Sequence, residues 1–435
     1  MKFSSRTAAF AIATIMSATF IPDDAEAQPA GYNYDEAKVV SYTLPNPLLC
    51  ADGTKVTDAK VWREKRRPEI LELFRTHMYG RSPAKPAQLI YEVGPADTKA
   101  LGGKATRQEI HIFLDGKKGG HRMTLLLFFP NGAKQPVPAF LGMNFEGNHT
   151  IDADPAITIA EQWTPDAKTK IDKLVKPAET TRGKSIGRWP LETILARGYA
   201  VATIARADVE PDYTTGWKHG LRAALSKDGV DTQWKADDWG AVAAWGWGLS
   251  RALDYLGTRT DVDAQRIALL GHSRLGKAAL WAGAEDERFA IIISNDSGEG
   301  GAALMRRNFG ETIERINTSF PHWFCGNFKK YNQDATSLPV DAHQLVALIA
   351  PRPVYVASAD EDKWADPKGE FLSAKHAEPV YCLFNKNGLG VAEWPEINKP
   401  VGDTIGYHVR TGKHDVTDYD WARYLDFADR HFRRK

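Results

Sequence analysis

The sequence predicts an α/β protein, a three-layer sandwich with a mostly parallel central sheet and helices on both faces, and three observations predict it. Short, almost uniformly apolar stretches recur at residues 139–143, 200–204, 266–270, 290–293 and 354–357, as strands buried on both faces require. Helical stretches intervene, notably 191–197, 239–256 and 276–284, so that strand and helix alternate. Between 266–270 and the helix that Lys277 opens, the chain has only a glycine-bounded turn, a sharp strand-turn-helix unit.

The remaining elements fit around that frame. Residues 28–46 are rich in Pro, Asn and Tyr and read as an extended arm. Residues 62–79 read as a helix, with Pro68 at a first-turn position and Gly80 ending it. Ile110, Ile112 and Leu114 recur at every second position, and 123–129 is an apolar run, so antiparallel strands open the sheet. Residues 211–237 and 300–339 exceed simple connections and read as insertions over the active face. No repeat or linker divides the chain, so 28–435 is expected to form a single catalytic domain.

Residues 1–27 are set apart. Lys2 and Arg6 precede an uncharged apolar run from Ala8 to Ile21, and Ala25-Glu26-Ala27 follows with small residues at a cleavage site. That order is a secretory signal, too short in its apolar part to anchor in a bilayer, and it implies a secreted or periplasmic protein. No cysteine near the cut offers a lipid anchor. With 56 basic and 55 acidic residues the formal net charge is +1, which gives no reason to expect nucleic acid or an anionic membrane as partner. Cys50, Cys325 and Cys382 lack metal-ligand spacing and are too few for a disulfide framework. Thirteen tryptophans are more than a core needs, and the excess suits stacking on sugar rings.

The strand-turn-helix unit carries the chemistry. Gly271-His272-Ser273-Arg274-Leu275-Gly276-Lys277 places Ser273 at the turn, where a hydroxyl is presented above the strand ends. Its second glycine falls one residue later than in the usual Gly-x-Ser-x-Gly pattern, with Leu275 in the usual place. This is the nucleophile elbow of an α/β-hydrolase, and the amide of Arg274 is the expected oxyanion donor. A serine hydroxyl needs a histidine to take its proton, and in this fold the histidine follows the last strand. His414, on a glycine-containing loop before a terminal helix from about Trp421, fits; His408 lies within a strand and reads as packed. Two places offer an acid to orient the imidazole. Asp362 lies in the acidic exit of the strand at 354–357, and Asp296 ends the strand after the elbow helix.

These segments carry a family resemblance. The elbow, Ser294-Asn295-Asp296-Ser297-Gly298-Glu299-Gly300-Gly301-Ala302-Ala303 and Trp364-Ala365-Asp366-Pro367 resemble the bacterial branch of the glucuronoyl esterases, carbohydrate esterase family fifteen. Residues 66–71 and Arg188-Trp189-Pro190 extend the resemblance over nearly the whole mature chain. It implies a serine esterase that hydrolyses the ester between (4-O-methyl-)glucuronic acid of xylan and lignin-type alcohols, without metal or cofactor and as a monomer. Ser273 then matches the nucleophile and His414 the base, while Arg274 stabilises the oxyanion. Asp296 falls where fungal members carry a glutamate, and Asp362 at the acid position of bacterial members. Aspartate at 296 has the shorter reach, which favours Asp362 as the principal acid. The resemblance further implies that Lys277, Glu311 and Trp364 bind the sugar, Glu311 by approximate spacing only. The competing readings are an acetyl-xylan or other carbohydrate esterase on the same fold, and a non-catalytic polysaccharide-binding relic.

Overall fold

The computed structural model describes residues 28–432 apart from 135, 167 and 170, so the expected secretory signal lies outside the described residues. The sheet opens with β1 (Ile90–Val93), β2 (Asp97–Lys99), β3 (Ala105–Phe113) and β4 (Arg122–Pro130), and continues through β5 (Val137–Asn144). A separate hairpin, β6 (Gln162–Pro165) and β7 (Asp172–Val175), stands outside it. The sheet resumes with β8 (Ala200–Ala205), β9 (Val262–His272), β10 (Ile291–Asn295), β11 (Val354–Ala359), β12 (Val401–Gly402) and β13 (Ile405–Arg410). Its order is β1-β3-β4-β8-β5-β9-β10-β11-β13-β12, with β2 paired to β3.

The pairing explains the burial patterns. From β8 across β5, β9, β10 and β11 to β13 every pair is parallel, while β1, β3 and β4 enter antiparallel. Strands β8, β10, β11 and β13 are buried throughout, as parallel strands covered on both faces must be. Strand β3 instead alternates buried and half-buried residues, which suits a strand near the sheet edge. One apolar cluster packs the helices Ala241–Leu256 and Arg274–Glu285 against one face; another packs Leu191–Ala196 and Asp418–Phe432 against the other. Because the inner strands are parallel, their carboxyl ends share one edge, and the loops leaving β5, β9, β10, β11 and β13 converge there.

Element boundaries shift by a few residues from expectation, two of them for visible reasons. The helical stretch around Trp62 starts at Ala59, where Asp58 accepts the N–H groups of Lys60 and Val61. It absorbs Pro68 through a wide turn at Trp62–Arg66 rather than opening on it. The elbow helix begins at Arg274, because the Ser273 carbonyl already accepts the N–H groups of Gly276 and Lys277. The terminal helix begins at Asp418. No helix among the described residues is long and apolar enough to cross a membrane, and the three cysteines are free thiols.

Candidate active site

Ser273 joins β9 to the helix Arg274–Glu285 with φ 55° and ψ −131°, a left-handed conformation that a non-glycine residue adopts only when its surroundings enforce it. The enforcement is local. The Ser273 N–H donates to the Asn295 carbonyl at 2.9 Å, tying the turn to β10. A side chain at Gly271 would put its Cβ 2.0 Å from the Leu275 carbonyl oxygen, and one at Gly276 would meet Ser297 Cβ at 2.9 Å. Both glycines are therefore sterically required, and Leu275 between them turns into the core. The displaced glycine is thus the residue that lets the helix pass the exit of β10.

His272, just before the serine, is fully buried and its Nδ1 lies 2.6 Å from Asn295 Oδ1. Burial, and next the neighbouring His414, hold its imidazole well below the usual histidine range, so it is neutral. Its ring lies 4.5 Å from that of His414, which brings the β13 loop to the elbow. A neutral ring there leaves a charge on His414 unopposed.

His414 Nδ1 lies 2.6 Å from Asp362 Oδ2, a short hydrogen bond to a carboxylate. Asp362 is held in turn, since it caps the short turn Lys363–Ala365 and accepts the Ala365 N–H. The two loops are also stapled along their backbones. Gly412 donates its N–H to Asp360 Oδ1 at 2.8 Å, and Glu361 donates to the Gly412 carbonyl at 3.0 Å. Arg410 closes the loop from inside by donating to the Lys413 and Asp415 carbonyls, while its Nε bonds Asp420.

Asp296 approaches the same imidazole from β10. One atom each of Asp296, Asp362 and His414 lie within 4.8 Å of one another, the one group of this kind among the described residues that is close enough to share a cation. Asp296 differs sharply from Asp362 in its surroundings. It is 2% exposed, and neither of its oxygens has a hydrogen-bond partner. Arg410 Nη2 is the nearest cation, at 3.7 Å. Burial, with the Asp362 and Glu370 carboxylates adding to it, pushes Asp296 well above the ordinary carboxylate range. Of the two acids, then, one is bonded to the imidazole and the other is a buried neighbour pushed toward its neutral form.

On the far side of the elbow the structure gathers Arg274, Lys277, Glu311 and Trp364. Lys277 is buried, and its ammonium donates to the Ser297 carbonyl at 2.6 Å. Burial lowers it below the usual lysine range, against the pull of Glu311; burial likewise raises Glu311, against Lys277 and Arg274. The Glu311 N–H donates to the Trp364 carbonyl at 3.0 Å, which ties the two segments together. The half-buried Trp364 ring meets Tyr32 of the arm edge-on at 5.0 Å. Sequence reasoning missed the groups that organise this side. Trp323 lies beneath Arg274, 4.9 Å from guanidinium to ring, and beneath Lys277 at 5.6 Å. Asp212 binds both Arg274 and Trp323. Each sits inside a stretch whose excess length marked it, but nothing in the local sequence singles out the residue.

Such an arrangement can perform acyl transfer. It has a strained serine at a helix N-terminus, an imidazole bonded to a carboxylate, and two cations, the half-buried Arg274 and the buried Lys277, on the helix that the serine opens. Comparison with known proteins agrees. A family model described as "Glucuronyl esterase, fungi" matches residues 232–385. Carbohydrate esterase MZ0003, from an unknown prokaryotic organism, is 50% identical over 427 residues, 98% of each chain. The 4-O-methyl-glucuronoyl methylesterase of Cerrena unicolor is 34% identical over 83% of this chain and 64% of its own. Among solved structures, a glucuronoyl esterase from Solibacter usitatus superposes with a TM-score of 0.86 at 52% identity, covering 91% of this chain and 100% of that one. A promiscuous CE15 esterase from a marine bacterial metagenome gives 0.84 at 51%, covering 92% and 100%.

Proposed function

The chain belongs to the glucuronoyl esterases, carbohydrate esterase family fifteen, and is a carboxylic ester hydrolase; from that premise we propose that it cleaves the ester between (4-O-methyl-)glucuronic acid of xylan and lignin-type alcohols through a Ser273-His414-Asp362 triad. The observation that carries the reading is the 2.6 Å bond from His414 to Asp362 on a loop whose histidine lies against the elbow. Secretion, the expectation from residues 1–27, suits a polymeric substrate.

His414, oriented by Asp362, takes the Ser273 proton as the hydroxyl attacks the uronate carbonyl. Negative charge then gathers on the former carbonyl oxygen. The Arg274 amide and guanidinium are the groups to receive it, and they gain most in the transition state, where the charge appears. His414 returns its proton to the departing alcohol. A water activated by the same imidazole then attacks the acyl-enzyme, and glucuronate leaves. Lys277, Glu311 and Trp364 bind the sugar of the acid half. In this reading Asp296 remains a neutral neighbour of the imidazole, not its main partner.

The test compares benzyl glucuronate with acetylated xylan. Turnover of the glucuronate that exceeds turnover of acetate, and is lost in Ser273→Ala, supports the reading. Activity on acetate alone would place the enzyme among acetyl-xylan esterases, and a wild-type protein inert on both would mark it as a binding relic.

A further inference from the structure

Asp212 lies in the stretch after β8, away from every motif that identifies the active site, yet four side chains converge on it. Arg274 Nη1 and Arg206 Nη1 each lie 2.8 Å from Oδ2. His322 Nε2 lies 2.8 Å and Trp323 Nε1 2.7 Å from Oδ1. The Asp212 side chain is 3% exposed. Burial alone would raise its pKa, but the Arg206 and Arg274 guanidiniums, with His322, hold it well below the ordinary carboxylate range. An ionised carboxylate this deep, with donors on both oxygens, is a built site whose occupants are fixed.

We propose that Asp212 is a positioning residue that orients the Arg274 guanidinium toward the reacting carbonyl, and that Arg206 on the same oxygen keeps the group cationic. The proposal rests on the reading of Arg274 as the oxyanion cation. Two contacts at different angles define the guanidinium. Asp212 binds it along its edge, and Trp323 lies under its face at 4.9 Å. Trp323 is itself fixed by its Nε1–H bond to Asp212 and by the Phe320 ring stacked on it at 3.8 Å. Asp212 therefore sets both contacts. Charge balance explains the second arginine. A carboxylate paired with Arg274 alone would offset part of the attraction that Arg274 offers the developing oxyanion. With Arg206 on the same oxygen, two positive charges face one negative, and the net charge toward the oxyanion stays positive.

The experiment measures kcat and KM on benzyl glucuronate for Asp212→Asn, Arg274→Ala and the double variant. Asp212→Asn is expected to lower kcat about tenfold or more, because an oxyanion contact is felt in the transition state, with KM within about threefold of wild type. In the Arg274→Ala background the same substitution is expected to add less than about threefold, since its target is gone. Full multiplication of the two losses, or an unchanged kcat in Asp212→Asn, overturns the proposal. If Arg274→Ala itself turns over at the wild-type rate, the oxyanion reading fails instead. Should Asp212→Asn not fold, ethylguanidinium added to Arg274→Ala probes the vacated slot, which keeps Asp212 and Trp323. Recovery of kcat with ethylguanidinium but not ethylammonium supports the proposal, and no recovery with either overturns it.

Discussion

Replacing Asp362 with Asn keeps the shape of the acid and removes its charge. In the ground state a neutral His414 gains only a hydrogen bond from Asp362. In the transition state the ring is an imidazolium, and the 2.6 Å contact becomes an ion pair. With charge centres about 3.5 Å apart and an effective dielectric near 20, that pair is worth about 4–5 kcal/mol, or roughly a thousandfold or more in kcat. An amide can also present its NH2 to Nδ1 and fix the wrong tautomer, which adds to the loss. Asp296→Asn removes little charge, because burial pushes the Asp296 carboxyl toward its neutral form, and kcat is expected to fall by less than about fivefold. The two sites are linked. The Asp362 charge is one cause of the raised Asp296 pKa, so Asp362→Asn makes Asp296 easier to ionise. Activity of Asp362→Asn is therefore expected to recover partly as pH rises, with a substitute carboxylate reaching the imidazole. The Asp362→Asn/Asp296→Asn variant loses that recovery. Initial rates on benzyl glucuronate across pH 5–9 for the three variants supply the comparison. A thousandfold loss in Asp296→Asn together with near-normal Asp362→Asn would refute the assignment and make Asp296 the principal acid.

Other consequences follow from the same geometry. Burial pushes Glu370 up to about 8, although it accepts from Gly298 N–H and from Ser358 Oγ at 2.6 Å. The folded state thus holds a proton that the unfolded chain releases near pH 4.5, and this contribution is present below that pH and lost as pH rises through about 8. Relative to Glu370→Gln, wild-type Tm should therefore fall between pH 5 and pH 8; a constant difference between the two proteins would count against a buried neutral Glu370. Lys277→Met removes a buried ammonium assigned to the sugar and is expected to raise KM for benzyl glucuronate about tenfold, while a small phenyl ester is hydrolysed as before. An equal loss on both esters would mean that Lys277 serves the elbow instead. Gly276→Ala drives a methyl to 2.9 Å from Ser297 Cβ and is expected to cost about 1–3 kcal/mol by thermal unfolding. A wild-type Tm would show that the helix shifts freely past β10.

What could be read from the chain was whatever a few neighbouring residues decide. A parallel strand buried on both faces must be apolar throughout, so β8, β10 and β11 announce themselves. The elbow is nearly as local: Gly271 meets its constraint at Leu275 within one turn, although Gly276 answers to Ser297 beyond β10. His414 needed more, namely its place after the last strand. The division between Asp296 and Asp362 was harder, because both leave adjacent parallel strands toward the same edge. What separates them is not reach but surroundings. Asp362 caps a turn at a loop rim, whereas Asp296 is enclosed beside Glu370 and cannot keep a charge cheaply.

Asp212 marks where reading the chain stops. Its neighbours Pro211 and Tyr213 give it no motif, and an aspartate after a strand is ordinarily a solvated turn residue. Its partners Arg206, Arg274, His322 and Trp323 come from three separate segments, and only the fold brings them together. The same holds for Arg410, whose guanidinium reaches Asp420, Asp296 and the carbonyls of the His414 loop. In both cases a buried charge does not touch the reacting atoms but fixes the group that does. An unpaired buried charge costs several kcal/mol, so such a residue can be retained only where every partner is in place. That makes its orientation, and the orientation of what it holds, a property of the whole fold. The chemistry of the site is therefore written at Ser273 and His414, while its precision depends on residues whose sequence context is unremarkable.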